Sequence, residues 1–366
     1  MADTTAATGL TVQQWDDKFF REYIQEGPFM SLMGTDERAV IQVKEDLMKK
    51  AGDSVTFALV NRLTNDPVTG SSTLEGNEED LVSRSHRVYV DKRRNAVRVS
   101  EMNEQKSAIS LRNAARPTLL TWATEDTRDF IIDELGALNG TLFAARTAAI
   151  GDAWLVDNTD RVVFGAGVGS GTDLSADLAL LDTTNDIFTN VNLDRMILKA
   201  KTSSPKIRPM RDPGNGRRYY MAIANPHVFK NLRDSIDTEV LASTVVQMEA
   251  SKLFEGGDLF WNGCIVKEVD NLPIYANLGD SATTEVSPVY LMGAQAVGVA
   301  YAKRWKTVTE EFDYGDKHGV AVESIYGVEK LRFGTGTGDT DDLKDNGVVT
   351  GFFATTGAST VTVPEL

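Results

Sequence analysis

Asp53-Ser54-Val55-Thr56-Phe57-Ala58-Leu59-Val60-Asn61-Arg62-Leu63, followed after a polar interval by Ser85-His86-Arg87-Val88-Tyr89-Val90-Asp91 and Asn95-Ala96-Val97-Arg98-Val99-Ser100, decides how this chain is read. Both runs are rich in β-branched and aromatic residues, the composition of extended chain. The interval 64–80 is rich in Gly, Ser, Thr, Asn and acid, with Glu75, Glu78, Glu79 and Asp80 clustered in it, and reads as a solvated tip. Two strands around a polar tip predict a long β-hairpin over 51–105. A ten-residue strand spans about 33 Å, and a two-stranded ribbon by itself is marginal in water. It needs a surface to lie on. The tip is acidic, whereas the return strand is basic through Arg84, Arg87, Lys92, Arg93, Arg94 and Arg98. Opposite signs on one element suit docking between copies of one chain.

Downstream, Leu119, Ala123, Phe130, Ile131, Leu135 and Leu138 share a helical face over 118–138, with Pro117 near the start. Gly136 and Asn139-Gly140 weaken the helix before 141–150 resumes it, so the expectation is a long interrupted spine. Upstream, Thr11-Val12-Gln13-Gln14 has the form of a capping box. Val12, Trp15, Phe19 and Tyr23 then recur at helical spacing until Gly27-Pro28, giving a short amphipathic helix. Its aromatic face packs either on its own domain or on a neighbouring chain. Val40-Ile41-Gln42-Val43 alternates like a strand.

The second half has α/β character. Expected strands cover 161–164, 219–224, 263–269, 273–275 and 289–292; expected helices cover 191–202, 226–234, 240–252 and, briefly, 293–302. A late hairpin joins 307–314 to 319–326 around Asp316-Lys317-His318, and the Gly/Thr-rich end has β-like pieces at 348–349 and 360–363.

The chain has 366 residues and a formal net charge of −15, from 38 Lys plus Arg against 53 Asp plus Glu. That length allows two or three packed units, and a hydrophobic fraction of 42% supports a real core. A single cysteine excludes an internal disulfide framework and any cysteine-based metal cage. The polar, acidic start MADTTAATGL lacks the basic and apolar regions of a secretion signal, and no apolar run reaches 18 residues. The expectation is a soluble intracellular protein whose acidity disfavours non-specific nucleic-acid binding.

No catalytic constellation emerges. His86, His227 and His318 are far apart and lack metal-motif companions. Gly165-Ala166-Gly167-Val168-Gly169-Ser170-Gly171 misses the dinucleotide pattern at Ser170, lacks a P-loop ending, and is not a nucleophile elbow. Asp339, Asp341, Asp342 and Asp345 suggest a cation loop that Leu343 and Lys344 interrupt. Cys264 sits in an apolar strand as a small hydrophobe. Lys206, Arg208, Arg211, Arg217 and Arg218 make a basic loop that faces either DNA or a carboxylate-rich neighbour. The expectation is a protein without catalytic residues, cofactor or metal.

Three stretches in order carry a family resemblance: 39–105, containing Lys49-Lys50-Ala51-Gly52-Asp53-Ser54-Val55-Thr56-Phe57; Asn262-Gly263-Cys264-Ile265-Val266-Lys267-Glu268-Val269-Asp270-Asn271-Leu272-Pro273; and Leu291-Met292-Gly293-Ala294-Gln295-Ala296-Val297. Over about residues 10–333 the chain resembles the major capsid proteins of tailed phages, which share the Hong Kong 97 fold. It is most similar to the branch typified by the N-four phage capsid protein. The resemblance implies an α+β fold with an N-terminal arm at 1–50 and an E-loop β-hairpin at 51–105. A P-domain spine helix would follow at 106–155 and an α/β A-domain at 156–306. P-domain return strands would occupy 307–333, leaving a tail of undefined role at 334–366. It further implies hexamers and pentamers in an icosahedral head around double-stranded DNA, bound without sequence specificity. A separate scaffolding protein, a portal and a cement protein are implied partners; the place of work is the virion, after assembly in host cytoplasm. Candidate intersubunit contacts are Arg62, Glu78, Glu79, Arg84, Arg87, Arg93 and Arg94 on the hairpin and Trp15 and Phe19 on the arm. Two other readings remain at this point: an encapsulin-like nanocompartment shell and an acidic α/β enzyme. With only some ten residues before Thr11, no large propeptide is expected.

Lysine–asparagine crosslinking, as in certain relatives, needs an activated lysine on the hairpin. Lys92 is the only lysine between Lys50 and Lys106, and Arg93 and Arg94 flank it in a polar stretch. An ammonium in water stays protonated and non-nucleophilic. Mature particles boiled with reductant should therefore run as one band near the monomer mass on a denaturing gel. A surviving ladder of multimers would contradict this.

Overall fold

The computed structural model describes residues 27–48, 51–60, 62–63, 65–107, 110–165, 169, 171–211, 216–236 and 258–355. The expected helices at 11–26 and 240–252, the arm candidates Trp15 and Phe19, and the β-like piece at 360–363 lie outside these residues.

The chain enters through two short strands, β1 (Met33–Gly34) and β2 (Ile41–Lys44), then forms β3 (Ser54–Val60) and β4 (Ser83–Tyr89) on either side of the long tip. β3 and β4 pair antiparallel from Ser54 opposite Tyr89 to Val60 opposite Ser83. The basic return strand does not continue in this ribbon. After Val90 it becomes β5 (Asp91–Ser100) and pairs with a different partner far along the chain. Gly327 is the reason the two can meet there, since a Cβ on it would overlap the Tyr89 carbonyl oxygen.

After α1 (Glu101–Lys106), the spine is α2, Leu111–Gly136. Its 26 residues make it about 39 Å long. It starts earlier than the sequence predicts and runs through Pro117. A proline there removes one backbone bond at a cost of about 3 kcal/mol. Burial of Ala115 and Leu119 on either side offsets that cost. The helix ends at Gly136 and does not resume at 141. Asn139 and Gly140 both take positive φ, turning the chain so that Leu138 and Thr141 bridge each other. The next helix, α3 (Ala148–Asp157), starts only at Thr147, whose side chain caps it.

The second unit begins with β6 (Val162–Phe164), α4 (Leu174–Leu178) and α5 (Asn190–Thr202). It continues through β7 (Met210–Arg211), β8 (Arg218–Ala224), α6 (Pro226–Asp234), β9 (Leu259–Trp261), β10 (Cys264–Glu268) and β11 (Glu285–Met292). The chain then returns to the spine as the long pair β12 (Val297–Phe312) and β13 (Lys317–Lys330), and closes with β14 (Arg332–Gly334), β15 (Leu343–Asp345) and β16 (Val348–Thr355). One sheet has the order β1-β2-β12-β13-β5. A second, larger sheet has the order β6-β16-β11-β8-β10-β9, with β7 beside β8, and β14 pairs with β15 in a small sheet of its own.

Two sequence expectations fail in the second half. Residues 293–302 are not a helix but a turn and the first six residues of β12; the small residue Gly298 lets Leu331 and Phe57 close on the strand. The 273–275 strand reduces to one bridge between Tyr275 and Val286. The larger correction concerns the end of the chain. Residues 348–355 are fully buried and form a strand inside the second sheet, between β6 and β11. Phe353 packs with Met196, Leu193 and Phe188 on one face, while Phe352 packs with Phe164, Phe143 and Trp154 on the other. Truncating Phe353 to Ala should cost about 3–5 kcal/mol. Chemical denaturation would check it: a change below about 1 kcal/mol would mean that this strand is dispensable.

Candidate assembly surfaces

The root of the ribbon is fastened to its own chain. Val55, Phe57 and Val88 are buried against Ala300, Leu331 and Phe333. Lys44 donates to the Thr56 carbonyl at 2.9 Å and lies over the Phe57 ring. Of the hairpin candidates, Arg84 is used here: it donates to the Gly336 and Thr337 carbonyls at 2.5 and 3.3 Å, and Ser85 donates to Asp339 at 2.8 Å. Three of the tail's acidic residues thus serve the fold: Asp339 at the ribbon, Asp341 through its bond from the Gly338 N–H, and Asp345 in the core. His86 meets the Glu329 carboxylate at 3.0 Å, and the Tyr89 N–H donates to the same carboxylate.

Beyond the root the ribbon is bare. Leu63, Leu74 and Leu81 are 61%, 65% and 66% exposed. Glu79 accepts from the Asn65 N–H at 2.8 Å and Glu78 from the Gly76 N–H at 2.6 Å, so both carboxylates shape the tip they charge. Arg62 and Arg87 are exposed.

Arg93 and Arg94, adjacent in sequence, face opposite ways because side chains alternate along β5. Arg93 turns inward and makes a paired contact with Asp126 of α2 at 2.7 and 2.5 Å, stacked over Phe130 at 4.5 Å. The Tyr326 hydroxyl donates to the same carboxylate at 2.9 Å. Arg94 points outward, opposite Glu323 of β13. That outer face is basic. Lys92, Lys303 and Lys306 converge on Glu323 at 2.9, 2.6 and 3.2 Å, holding its carboxyl down at about 2. Arg94 and Arg98 add two more cations beside them.

The spine carries the opposite charge. Glu125, Asp126, Asp129, Asp133 and Glu134 edge a cleft of about 370 Å³ against α2, which Arg93 enters from the side. Burial and then the nearby Glu329 carboxylate push Glu134 up to about 7. Deeper in, Lys330 and Asp345 form a buried pair at 2.7 Å, and the Trp154 N–H donates to the same carboxylate. Sequence reasoning missed Asp126 and Glu329, which sit in no local motif, and read Asp345 as part of a cation loop when it is the partner of Lys330 and Trp154 in the core.

The chain thus presents a ribbon rooted in its own fold and tipped with exposed leucines and acid, and a sheet whose outer face is basic. The model of the phage capsid protein family matches residues 3–351, and the chain belongs to that family. The major capsid protein of Pseudomonas phage KPP25 is 27% identical over 347 residues, covering 87% of this chain and 89% of that protein. The capsid asymmetric unit of cyanophage Pam1 superposes with a TM-score of 0.82 at 29% identity, covering 98% of this chain and all of that one. The capsid of Ralstonia phage GP4 follows with a TM-score of 0.77 at 24% identity, again over 98% of this chain and all of the other. The α+β Hong Kong 97-like fold expected from sequence is therefore the fold of this protein. The match extends past residue 333, the limit of the sequence resemblance, to 351 within β16.

Glu134 gives this site a pH signature. Its folded pKa is raised, so between about 4.5 and about 7 the folded chain binds more protons there than the unfolded chain. The contribution to stability is then full at low pH and declines as pH rises through that window. Glu134→Gln should leave the urea midpoint near pH 4 almost unchanged and raise it at pH 8. Equal shifts at both pH values would show that the carboxyl does not titrate differently on folding.

Proposed function

We propose that this chain is the major shell subunit of an icosahedral phage head, acting as a structural and not a catalytic protein. The observation that carries this reading is the ribbon: a rooted β-pair whose tip, 62–82, leaves apolar and acidic side chains without cover. The capsid relatives, matched over nearly the whole chain, support it.

In this reading the chain divides into an arm at 1–50, the E-loop at 51–105, a P-domain from 106–155 and 307–333, and an A-domain at 156–306. The strand β16 belongs with the A-domain, since it lies in that sheet. Copies assemble into hexamers and pentamers, with each ribbon lying across the next subunit. The acidic tip, through Glu78 and Glu79, meets the basic outer face carrying Arg94, while Arg62 and Arg87 line the same crossing and Arg84 holds the ribbon root within its own chain. Arg93 contributes from inside by holding β5 on the spine. Closed symmetry repeats each modest contact around the shell, which is how weak pairs give a stable particle. A separate scaffolding protein, portal and cement protein would complete the head, assembled in host cytoplasm. Packaged double-stranded DNA would meet a net charge of −15 per chain, which limits adhesion to the wall.

Charge reversal tests the crossing. Glu78→Lys with Glu79→Lys should reduce particle yield at least tenfold while leaving the subunit's circular dichroism unchanged. Arg94→Glu should do the same alone, and combining it with the tip reversal should restore part of the yield. Arg93→Glu should instead lower the thermal stability of the subunit, because it sets two carboxylates against each other inside the chain. Normal particle yield from the tip variant, read by electron microscopy, would remove the tip from the contact.

A further inference from the structure

We propose that an apolar groove beside the spine helix is the seat of this same chain's residues 12–23. The groove holds about 430 Å³. Ala123 and Ile131 of α2, with Phe29, Met33 and Trp305, form its apolar lining. Its rim is open, with Met30 73% and Leu120 65% exposed. The trough runs along the face of the spine and leaves apolar side chains open to water.

Its position names the occupant. Gly27, where the described chain begins, is itself part of the groove wall. It takes φ +58°, a conformation in which a Cβ would also press on Met30, and Pro28 fixes the next residue. The chain arriving from residue 26 is thus delivered at the mouth of the groove. Just upstream, Val12, Trp15, Phe19 and Tyr23 would share one face of a helix. Twelve helical residues span about 18 Å, and the three residues 24–26 can reach about 10 Å, enough to fold back. On such a helix Asp16 and Glu22 would flank the apolar face, and Arg128 and Arg304 of the groove wall are paired within the chain with Asp129 and Glu45, so the match rests on apolar character.

Covalent attachment favours the chain's own segment over a neighbour's. A short tether holds it near its groove at an effective concentration in the millimolar range. The seat lies within one chain, so it does not depend on how the ribbon contacts neighbours.

Disulfide trapping in the full-length chain tests this. Phe19→Cys is combined with Leu120→Cys or with Thr124→Cys, both groove positions, and oxidised with copper phenanthroline; the native Cys264 is buried. The expected product in at least one pair is a link within one chain, with monomer mass on a denaturing non-reducing gel and faster migration. Mixing chains that carry only Phe19→Cys with chains that carry only Leu120→Cys or only Thr124→Cys should give no crosslinked dimer. A dimer in that mixture would assign the groove to a neighbour's segment, and no link in either double variant would leave it without this occupant. Either result overturns the proposal. In parallel, Leu120→Asp should speed hydrogen exchange in residues 12–23 about tenfold while α2 keeps its protection. Unchanged exchange there would equally overturn it.

Discussion

Everything in the first sheet depends on one strand, β13, being shared. It pairs along its length with β12 on one side and β5 on the other, while α2 covers one face. Val320, Val322 and Tyr326 point into that cover and meet Leu119 and Phe130; Ala321, Glu323 and Ile325 point away from it. The Arg93–Asp126 pair sits where β5, β13 and α2 join, with Tyr326 donating to the same carboxylate. Partial burial makes such a pair costly to break from one side, since the remaining charge loses its partner in a poor solvent. The ribbon therefore leaves the molecule from a fixed root. Its direction is set by β5, not by the ribbon's own two strands.

The charges divide according to that root. Pairs that hold the fold are inside or at the joints: Arg93 with Asp126, Lys330 with Asp345, and Glu329 with His86. Charges left outward are sorted by sign, with acid on the tip and lysines and arginines on the sheet face opposite α2. Ion pairs in water contribute little to stability, typically below about 1 kcal/mol. They steer and align partners instead. A subunit that folds by buried contacts and associates through exposed, complementary charge keeps the two steps separate. In the proposed shell, that separation would let assembly respond to salt and pH without unfolding the subunit.

The same division explains which parts of the molecule were legible in advance. Local periodicity identified α5, α6, β8, β10 and the β12–β13 hairpin, because each carries its pattern within a dozen residues. It also identified the ribbon strands and the polar tip between them. The composition of the tip, polar with isolated leucines, marks an element that cannot anchor itself. The order of elements carried the resemblance to the capsid family.

Pairing at long range was not legible. Nothing in Asp91–Ser100 says that it leaves β4 for β13, over two hundred residues away, because a strand's partner is set by register and not by its own alternation. Nor does alternation tell that Arg93 faces inward and Arg94 outward until the covered face of the sheet is known. The final strand shows the limit most clearly. Val348–Thr355 is short and lies in a Gly- and Thr-rich stretch, so it reads as tail. Only the tertiary structure makes it interior, because β6 and β11 leave a gap whose backbone groups must be hydrogen-bonded, and this strand fills it. The sequence by itself determined most of the elements, the order of the larger parts and the sign of the exposed charge. Tertiary structure decided which strands meet, since burial and backbone pairing are satisfied only once the whole chain is in place.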